Sequence, residues 1–402
     1  MTTFQDLENL VSDYQYVDDD RIVLTVGIVA TFYFWGGHKA SVRAGLVDCV
    51  EAFEAAYGSE LAWAFDTEKH KAVPFNKMPP LRQLVRSMDE DDQIEWFAAS
   101  GDIETATEYR ISALTERGWQ SDQISMVSFA LPRDHAYIPE KREKLLELVY
   151  LFADTLAPFH GHVGLGAVST YEQHLYQSDE IDVATRYRGV FIEDVFHSNW
   201  AQTGFTSIDW ITFIGATLAE RAGGIPELGQ QLKGKNLDVK TTATGLFVAS
   251  SSEPEIAPVD QETLPQLSAI NSVLRPLRTG NVGSMGFGSI DGELRFNRCT
   301  SDLWVRRYDA ADIWPPAAFI GLPRTPVGKV PRKKIKLKTG ETCTVHGRYR
   351  HPAFEAVAAG DDDDAPQVVL MPGDVAPHWL KLGPHGEYLG RDAVTWELVA
   401  EL

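Results

Sequence analysis

Long apolar segments and paired cysteines are both missing from this 402-residue sequence. No uninterrupted apolar run approaches the ~20 residues that a membrane-spanning helix needs. The N-terminal stretch MTTFQDLENLVSDYQ is acidic and has neither the basic start nor the apolar centre of a secretion signal. The three cysteines, Cys49, Cys299 and Cys343, are far apart and odd in number, which indicates a reducing compartment and no disulfide framework. We therefore expect a cytoplasmic protein that does not engage a membrane.

Basic residues are also scarce. The 37 Lys and Arg residues face 57 Asp and Glu residues, which gives a net charge of -20 at pH 7. Because a phosphate backbone is bound through Lys and Arg, we expect no nucleic-acid binding. From Trp314 onward the acidic and basic residues are equal in number, so the excess negative charge lies before this residue. Such a charge either keeps the protein soluble or attracts a basic partner.

Catalytic motifs are the third absence. The chain contains no phosphate-binding loop, nucleophile elbow or dinucleotide fingerprint, and we expect no cofactor. Cys343-x-x-His346 resembles half of a zinc site, but no second half follows it. A buried thiol beside a surface histidine is the better interpretation of this pair.

Two histidine arrangements keep an enzymatic alternative open. His160 and His162 would share one face of a strand, and with His174 they could hold the metal of a hydrolase. Asp194 and His197 could act as a base and its orienting partner if they lie on a helix. Neither arrangement has a third ligand at fixed spacing or a nucleophile nearby, so ordinary polar positions are the competing interpretation.

The best-specified stretch of the chain is Phe205 to Gly224, FTSIDWITFIGATLAERAGG. Its apolar run Ile208 to Ile214 predicts a buried central strand, and the following residues predict a short helix that ends at Gly223-Gly224. These features indicate architecture and not chemistry.

Two stretches predict a β-α-β unit each, over residues 22–65 and 124–168. In the first, Val42, Leu46, Val50 and Phe53 fall on one face of a helix from Ala40 to Tyr57. In the second, Pro139 opens a helix, a position that proline favours. The similar order and length suggest an internal duplication. We expect an α+β fold, with mainly antiparallel or mixed sheets and packed helices.

The rest of the chain divides by composition. Residues 1–313 form the expected main domain, in which the polar segment Lys71 to Gln123 predicts one or two helices and Ser301 to Tyr308 predicts a strand. Residues 314–331 are proline-rich and predict a linker. Residues 332–402 predict a small accessory domain of short β-strands, a size that can fold alone.

Acidic clusters are the candidate contact points for a basic partner. Trp96 stands beside one of them, as an interface anchor would, although it could equally be the apolar side of a surface helix. The candidate carboxylates are Asp18, Asp19, Asp20, Asp89, Glu90, Asp91, Asp92 and Glu95.

A series of packing motifs resembles a known family. After the first strand and helix the chain has GHVGLG, RYRGVFIED, SIDWITFIG followed by a glycine pair, ETLPQLSAINSVLRPLR, MGFGSIDG and SDLWVRRYD. Over about residues 20–310 this order resembles the bacterial type VI secretion immunity proteins that are paired with VRR-NUC nuclease effectors. The segment from Ile208 to Gly224 carries most of the resemblance, and the residues after Pro315 fall outside it.

The resemblance implies a protein that binds and neutralises a secreted toxin and thereby protects the producing cell. The cognate toxin would be a metal-dependent DNase with a basic surface, which an acidic inhibitor could cover. The family supplies no catalytic residues. Two alternatives stay open: a metal-dependent hydrolase that uses the histidines, and a scaffold that recruits partners through its C-terminal β module. The sequence does not indicate an oligomeric state.

Overall fold

The computed structural model describes residues 3–18, 20–120, 123–171, 176–192, 201–259, 263–280, 285, 296–315, 335–351, 367–382 and 388–401. The chain forms two compact units. Unit 1 comprises Met1–Gln173 and Gly189–Ile256, and unit 2 comprises His174–Arg188 and Ala257–Leu402.

In the described residues, most strands follow one another in runs of two or more, and helices separate these runs. The α-helices are α1 (Phe4–Asn9), α2 (Val11–Tyr14), α3 (Ala40–Tyr57), α4 (Leu81–Val85), α5 (Pro139–Leu156), α6 (Gln177–Arg186), α7 (Ala216–Ala219), α8 (Gly224–Lys233), α9 (Pro265–Leu274) and α10 (Arg298–Val305). The first strands are β1 (Tyr16–Asp18), β2 (Arg21–Phe34), β3 (Trp63–Asp66), β4 (Lys71–Pro74), β5 (Glu95–Ala99), β6 (Arg110–Leu114), β7 (Ser125–Leu131), β8 (His160–Ser169), β9 (Tyr187–Arg188) and β10 (Val190–Phe191). The remaining strands are β11 (Ile211–Gly215), β12 (Asp238–Thr241), β13 (Gly245–Ala249), β14 (Ala257–Pro258), β15 (Lys336–Lys338), β16 (Gly347–Arg350), β17 (Gln367–Leu370), β18 (Trp379–Leu382), β19 (Tyr388–Asp392) and β20 (Thr395–Glu401).

Unit 1 is built on one large sheet. Its strands follow the order β12-β13-β11-β8-β2-β7-β6-β5-β3-β4, and β1 and β10 pair with β2 and β8 in addition. Neighbouring strands are antiparallel except for β10, which runs parallel to β8. The expected α+β class with a mainly antiparallel, mixed sheet is confirmed.

Both predicted strand–helix–strand segments are present, as β2-α3-β3 and β7-α5-β8. Neither joins adjacent strands: β2 lies between β7 and β8, and three strands separate β2 from β3. Helices α3 and α5 pack against each other on one face of the sheet. There Phe129 of β7 contacts both Phe53 of α3 and Phe152 of α5, with ring centroids 5.6 and 5.2 Å apart.

The stretch Phe205 to Gly224 supplies an inner strand of this sheet. Its strand β11 pairs with β8 on one side and β13 on the other, although β2 lies nearer the middle. Phe213 contacts Phe32 and Phe247 on the helical face. Gly223 and Gly224 both adopt φ +88°, a left-handed conformation that favours glycine, so the predicted end of the helical turn is confirmed.

One local prediction is incomplete and another is wrong. The segment from Lys71 to Gln123 contains a helix, α4, as predicted, but also the strands β4, β5 and β6, which extend the sheet. Ser301 to Tyr308 begins in helix α10 and contains no strand. In both cases the apolar residues are few and closely spaced, a pattern in which strand and helix periods are hard to separate.

Unit 2 has its own core and a small sheet. Arg278 pairs with Asp309 through two bonds of 2.8 and 2.6 Å, and both side chains are fully buried. Asn271 donates to the same carboxylate at 2.7 Å, so the motifs ETLPQLSAINSVLRPLR and SDLWVRRYD meet at a structural ion pair. The predicted C-terminal β-structure is confirmed as the sheet β15-β20-β16-β17, in which β15 is an edge strand.

Within the part of the chain that the structure describes, no helix is both long and apolar enough to cross a membrane. Most of the expected linker, residues 316–331, lies outside that part.

Candidate functional site

The predicted acidic cluster forms one exposed loop, Asp89 to Asp92, which we call the acidic loop. It lies between α4 and β5, next to the end of β2. The guanidinium of Arg43 on α3 holds the acidic loop. It donates to the carbonyl oxygens of Asp89 and Asp92 at 2.5 and 2.6 Å. It also donates to the carbonyl oxygen of Gly37 at 3.2 Å. Arg43 is buried. It therefore fixes the loop from inside and leaves the carboxylates at the surface.

Two carboxylates also shape the loop. The Asp92 side chain accepts from the backbone N–H of Asp89, and the Asp89 side chain accepts from that of Asp91, both at 2.9 Å. These Asx-type bonds hold a turn without a regular element. The side chains of Glu90 and Asp91 take no part in these bonds, so their charge is free to meet a partner.

A second loop packs against the acidic loop and exposes a tryptophan. The Gly118 N–H donates to the Glu90 carbonyl at 2.7 Å, and a Cβ on Gly118 would approach this oxygen to 3.1 Å. The next residue, Trp119, is 66% exposed. The guanidinium of Arg117 lies 6.0 Å from its ring centroid. An indole this exposed beside a cluster of carboxylates is a strong candidate for an interface anchor.

Trp96 does not have this role. It lies on β5, not on a surface helix, and is only 2% exposed on the side of the sheet that α3 and α5 cover. Its burial leaves it unable to offer its ring to a partner, while its neighbour Glu95 on the same strand is exposed. The prediction of Trp96 as an exposed anchor is wrong because the sequence pattern did not indicate β5. Trp119 follows Arg117-Gly118 in a polar segment without periodicity, and that setting is the signal that could have identified it.

The other predicted acidic cluster lies elsewhere in unit 1. Asp18 and Asp20 are exposed at the turn that leads into β2, and Asp19 falls outside the described residues. The acidic loop adjoins the other end of the same strand. β2 has 14 residues, and at ~3.3 Å per residue its two ends lie about 40 Å apart. The structure therefore does not bring the two clusters together.

The histidines of the hydrolase alternative lie in the core. His160 and His162 share a face of β8, as expected, but both are buried. The His160 Nε2 lies 2.9 Å from the Ala201 carbonyl, and burial lowers the pKa of His160 to about 3. His162 Nδ1 lies 3.2 Å from a carboxylate oxygen of buried Asp209.

Nothing in the described residues supports a metal site. His174, Asp194 and His197 lie outside them. Among the residues that are described, no group of three or more His, Cys, Asp or Glu side chains is arranged to hold a metal ion. Cys343 is a buried free thiol whose Sγ lies 3.3 Å from the Tyr349 hydroxyl oxygen, which confirms its expected structural role.

Comparisons with known proteins identify the fold and the family of the chain. No curated protein matches the chain. Among solved structures, the Pseudomonas aeruginosa T6SS protein PA0821 shares the fold with a TM-score of 0.66 and 24% sequence identity, and the match covers 76% of this chain and 89% of that chain. A family model named TsiV, described as type VI immunity for VRR-NUC, matches residues 45–308, about two thirds of the chain. The chain therefore belongs to the TsiV family of type VI immunity proteins for VRR-NUC effectors.

Proposed function

We propose that the chain neutralises its VRR-NUC effector by binding it with the acidic loop, Glu95 and Trp119, and that it acts by binding and not by catalysis. We call these residues the acidic surface. A nuclease must hold DNA through basic groups. Carboxylates on an inhibitor compete with the phosphates for the same groups. The observation that carries the proposal is an acidic loop held by a buried arginine next to an exposed tryptophan.

The fixed shape of the acidic loop favours tight binding. Association of a flexible loop loses conformational freedom, which lowers affinity. Here Arg43 and the two Asx-type bonds already hold the loop in one conformation in the free protein. Binding then loses less conformational entropy, so less of the favourable electrostatic free energy is offset.

The acidic surface is preferred to the Asp18–Asp20 cluster for two reasons. A standard interface buries roughly 800 Å² on each partner, a patch about 30 Å across, so one partner would not readily cover both ends of β2. Moreover, among the described residues an exposed tryptophan, Trp119, is held next to the acidic loop through the Gly118–Glu90 bond. We propose that Asp18 and Asp20 contribute to the long-range field and not to the contact.

The overall charge supports fast association in the cytoplasm, where the effector would act on the DNA of the producing cell. The chain carries -20 at pH 7. A complementary charge on the partner can raise association rate constants from about 10⁶ to 10⁸ M⁻¹s⁻¹ or more at low salt.

A charge-reversal experiment tests this proposal. Glu90→Lys with Asp91→Lys changes the acidic loop without removing its internal bonds. Glu143→Lys with Glu147→Lys makes the same charge change at exposed positions of α5 and serves as the control. Affinity for a catalytically inactive VRR-NUC domain is measured by calorimetry, and thermal unfolding checks the fold.

The loop variant should bind about a hundredfold more weakly or more, because close charge pairs contribute ~1.5 kcal/mol or more each at such interfaces. The α5 variant should change affinity only a little. Equal losses in the two variants would mean that net charge, and not this surface, determines binding. No loss in either variant would reject an electrostatic contact altogether.

A further inference from the structure

A narrow cleft opens on the face of the large sheet opposite α3 and α5. Successive residues of a strand point to opposite faces. Phe97 is paired with Ser112, and Ser112 with Ser128, so these residues point away from the helical face, where Phe129 lies. The cleft is lined by Glu95, Phe97, Ser112, Leu114, Met126 and Tyr171. All of these residues belong to unit 1.

The cleft combines apolar walls with one carboxylate. Phe97 and Tyr171 meet edge to face, with ring centroids 4.9 Å apart, and Leu114 and Met126 are paired across the ladder. Glu95 lies directly opposite Leu114 and is exposed. In the described part of the chain no basic side chain pairs with its carboxylate. The site therefore offers aliphatic and aromatic surface together with a single negative charge.

The cleft is continuous with the acidic surface. Gln93 and Ile94 connect the acidic loop to Glu95, and both bond to Thr115, which follows the cleft residue Leu114. The side chain of Gln93 donates to the Thr115 carbonyl at 2.8 Å, and the Ile94 N–H donates to the Thr115 hydroxyl at 2.9 Å. A partner bound at the acidic loop can therefore contact the cleft as part of the same interface.

We propose that this cleft receives an arginine side chain of the VRR-NUC effector, an inference that rests on the proposed function. The aliphatic stem lies against Leu114 and Met126. The guanidinium pairs with Glu95 and lies flat on one of the two perpendicular rings, Phe97 or Tyr171. A purely apolar side chain fits less well because it would cover the Glu95 carboxylate without pairing it. Arginine fits better than lysine because its planar, weakly hydrated group stacks on aromatic rings.

Three variants test the cleft. Glu95→Gln removes the charge, Leu114→Trp fills the space, and Leu114→Met keeps the volume as a control. Binding to a catalytically inactive VRR-NUC domain is measured by calorimetry, and each variant is first checked by thermal unfolding. Glu95→Gln and Leu114→Trp should each weaken binding about tenfold, the loss typical of an interface hot spot. Leu114→Met should bind like the parent.

An arginine scan of the effector identifies the occupant. At one arginine of the effector, substitution by glutamine should weaken binding to the parent chain about tenfold. The same effector variant should bind the Glu95→Gln variant of the chain no more weakly than the unchanged effector does. Substitution of that arginine by lysine should restore only part of the affinity.

Each outcome separates the cleft from the acidic loop. If Glu95→Gln and Leu114→Trp bind like the parent while Glu90→Lys with Asp91→Lys binds weakly, the cleft is not used, and the proposed function stands with the acidic loop and Trp119 but without Glu95. If all of them bind like the parent, both proposals are wrong. If Leu114→Trp alone weakens binding, the occupant is apolar and the assignment of arginine is overturned.

Discussion

At the scale of residues, buried Arg43 holds the acidic loop in place and exposed Trp119 lies beside it. The sequence indicated the carboxylates of the acidic loop because four acidic residues in a row are unmistakable. It did not indicate Trp119, because the choice between two tryptophans depends on which one lies in a strand. Arg43 could have been noticed: it falls on the same helical stripe as Val47 and Val50, where a charged residue needs buried partners.

The two tryptophans should separate binding from folding. Trp119→Ala should weaken binding of the VRR-NUC domain by about 2 kcal/mol or more, as truncation of an aromatic anchor does, and leave the free energy of unfolding unchanged. Trp96→Ala should lower that free energy by about 3–5 kcal/mol, as for other large-to-small core changes. Calorimetry and urea unfolding provide both values. An unstable Trp119→Ala or a stable Trp96→Ala that no longer binds would reverse the assignments.

His160 should make stability depend on pH. In the folded protein burial lowers its pKa from 6.5 to about 3, so the unfolded chain binds more protons between these values. Stability from this residue is complete above about pH 6.5 and is lost as the pH falls towards 3. His160→Gln can still donate to the Ala201 carbonyl but does not titrate.

Urea unfolding of parent and His160→Gln at pH 7.5 and pH 5.5 measures this effect. The parent should lose about 1 kcal/mol more than the variant between the two pH values, the amount expected for protonation of an ordinary histidine in the unfolded chain. Parallel losses in the two proteins would show that His160 is protonated in the folded state as well.

At the scale of elements, long periodic segments were predicted closely and short ones were not. The helices from Ala40 and Pro139 and the strands around them were anticipated because each carries several turns or pairs of apolar residues. Strands β4 to β6 have only four or five residues and depend on neighbours across the sheet. Their identity is set by tertiary pairing, which one sequence does not reveal.

The strand β11 should be required for folding and not for contact. Trp210 precedes it, is 5% exposed and donates from Nε1 to the Ser251 carbonyl at 2.9 Å. Trp210→Ala should lower the free energy of unfolding by about 3–5 kcal/mol. At low temperature, where the variant is folded, affinity for the effector should be retained. A variant as stable as the parent that no longer binds would place this stretch in the interface.

The acidic loop should depend on Arg43. Arg43→Met removes three donated bonds and should lower the free energy of unfolding by about 3 kcal/mol or more, because each hydrogen bond to a charged group contributes ~1.5–3 kcal/mol. It should also weaken effector binding because the loop loses its fixed shape. Amide exchange of residues 89–92 should become faster. Arg86→Met, an exposed change nearby, serves as the control. Unchanged exchange in Arg43→Met would mean that the loop is held by its own bonds alone.

At the scale of the whole molecule, the charge and the missing catalytic motifs were informative from the start. They indicated a binding protein with a basic partner, and the family match confirms an immunity protein with a VRR-NUC effector. Composition does not distinguish the two acidic clusters as candidate contacts, since they have similar sequences and lie at opposite ends of β2. Only the pairing of strands separates them.

The association rate should report the long-range charge. Raising the ionic strength from about 0.01 to 0.15 M shortens the screening length from ~30 to ~8 Å. The association rate constant with the VRR-NUC domain should then fall by about tenfold or more, while the dissociation rate changes less. Stopped-flow fluorescence measures both. An association rate that is independent of salt would contradict electrostatic steering.

Competition with DNA provides the most direct test of whether the acidic surface covers the DNA-binding surface of the effector. A catalytically inactive VRR-NUC domain is bound to a fluorescent DNA duplex, and release of the duplex is followed by anisotropy as the protein is added. The parent should displace the duplex completely, at concentrations that rise with the amount of DNA, and Glu90→Lys with Asp91→Lys should require about tenfold more protein or more. A stable ternary complex of effector, DNA and parent protein would contradict the proposed mechanism.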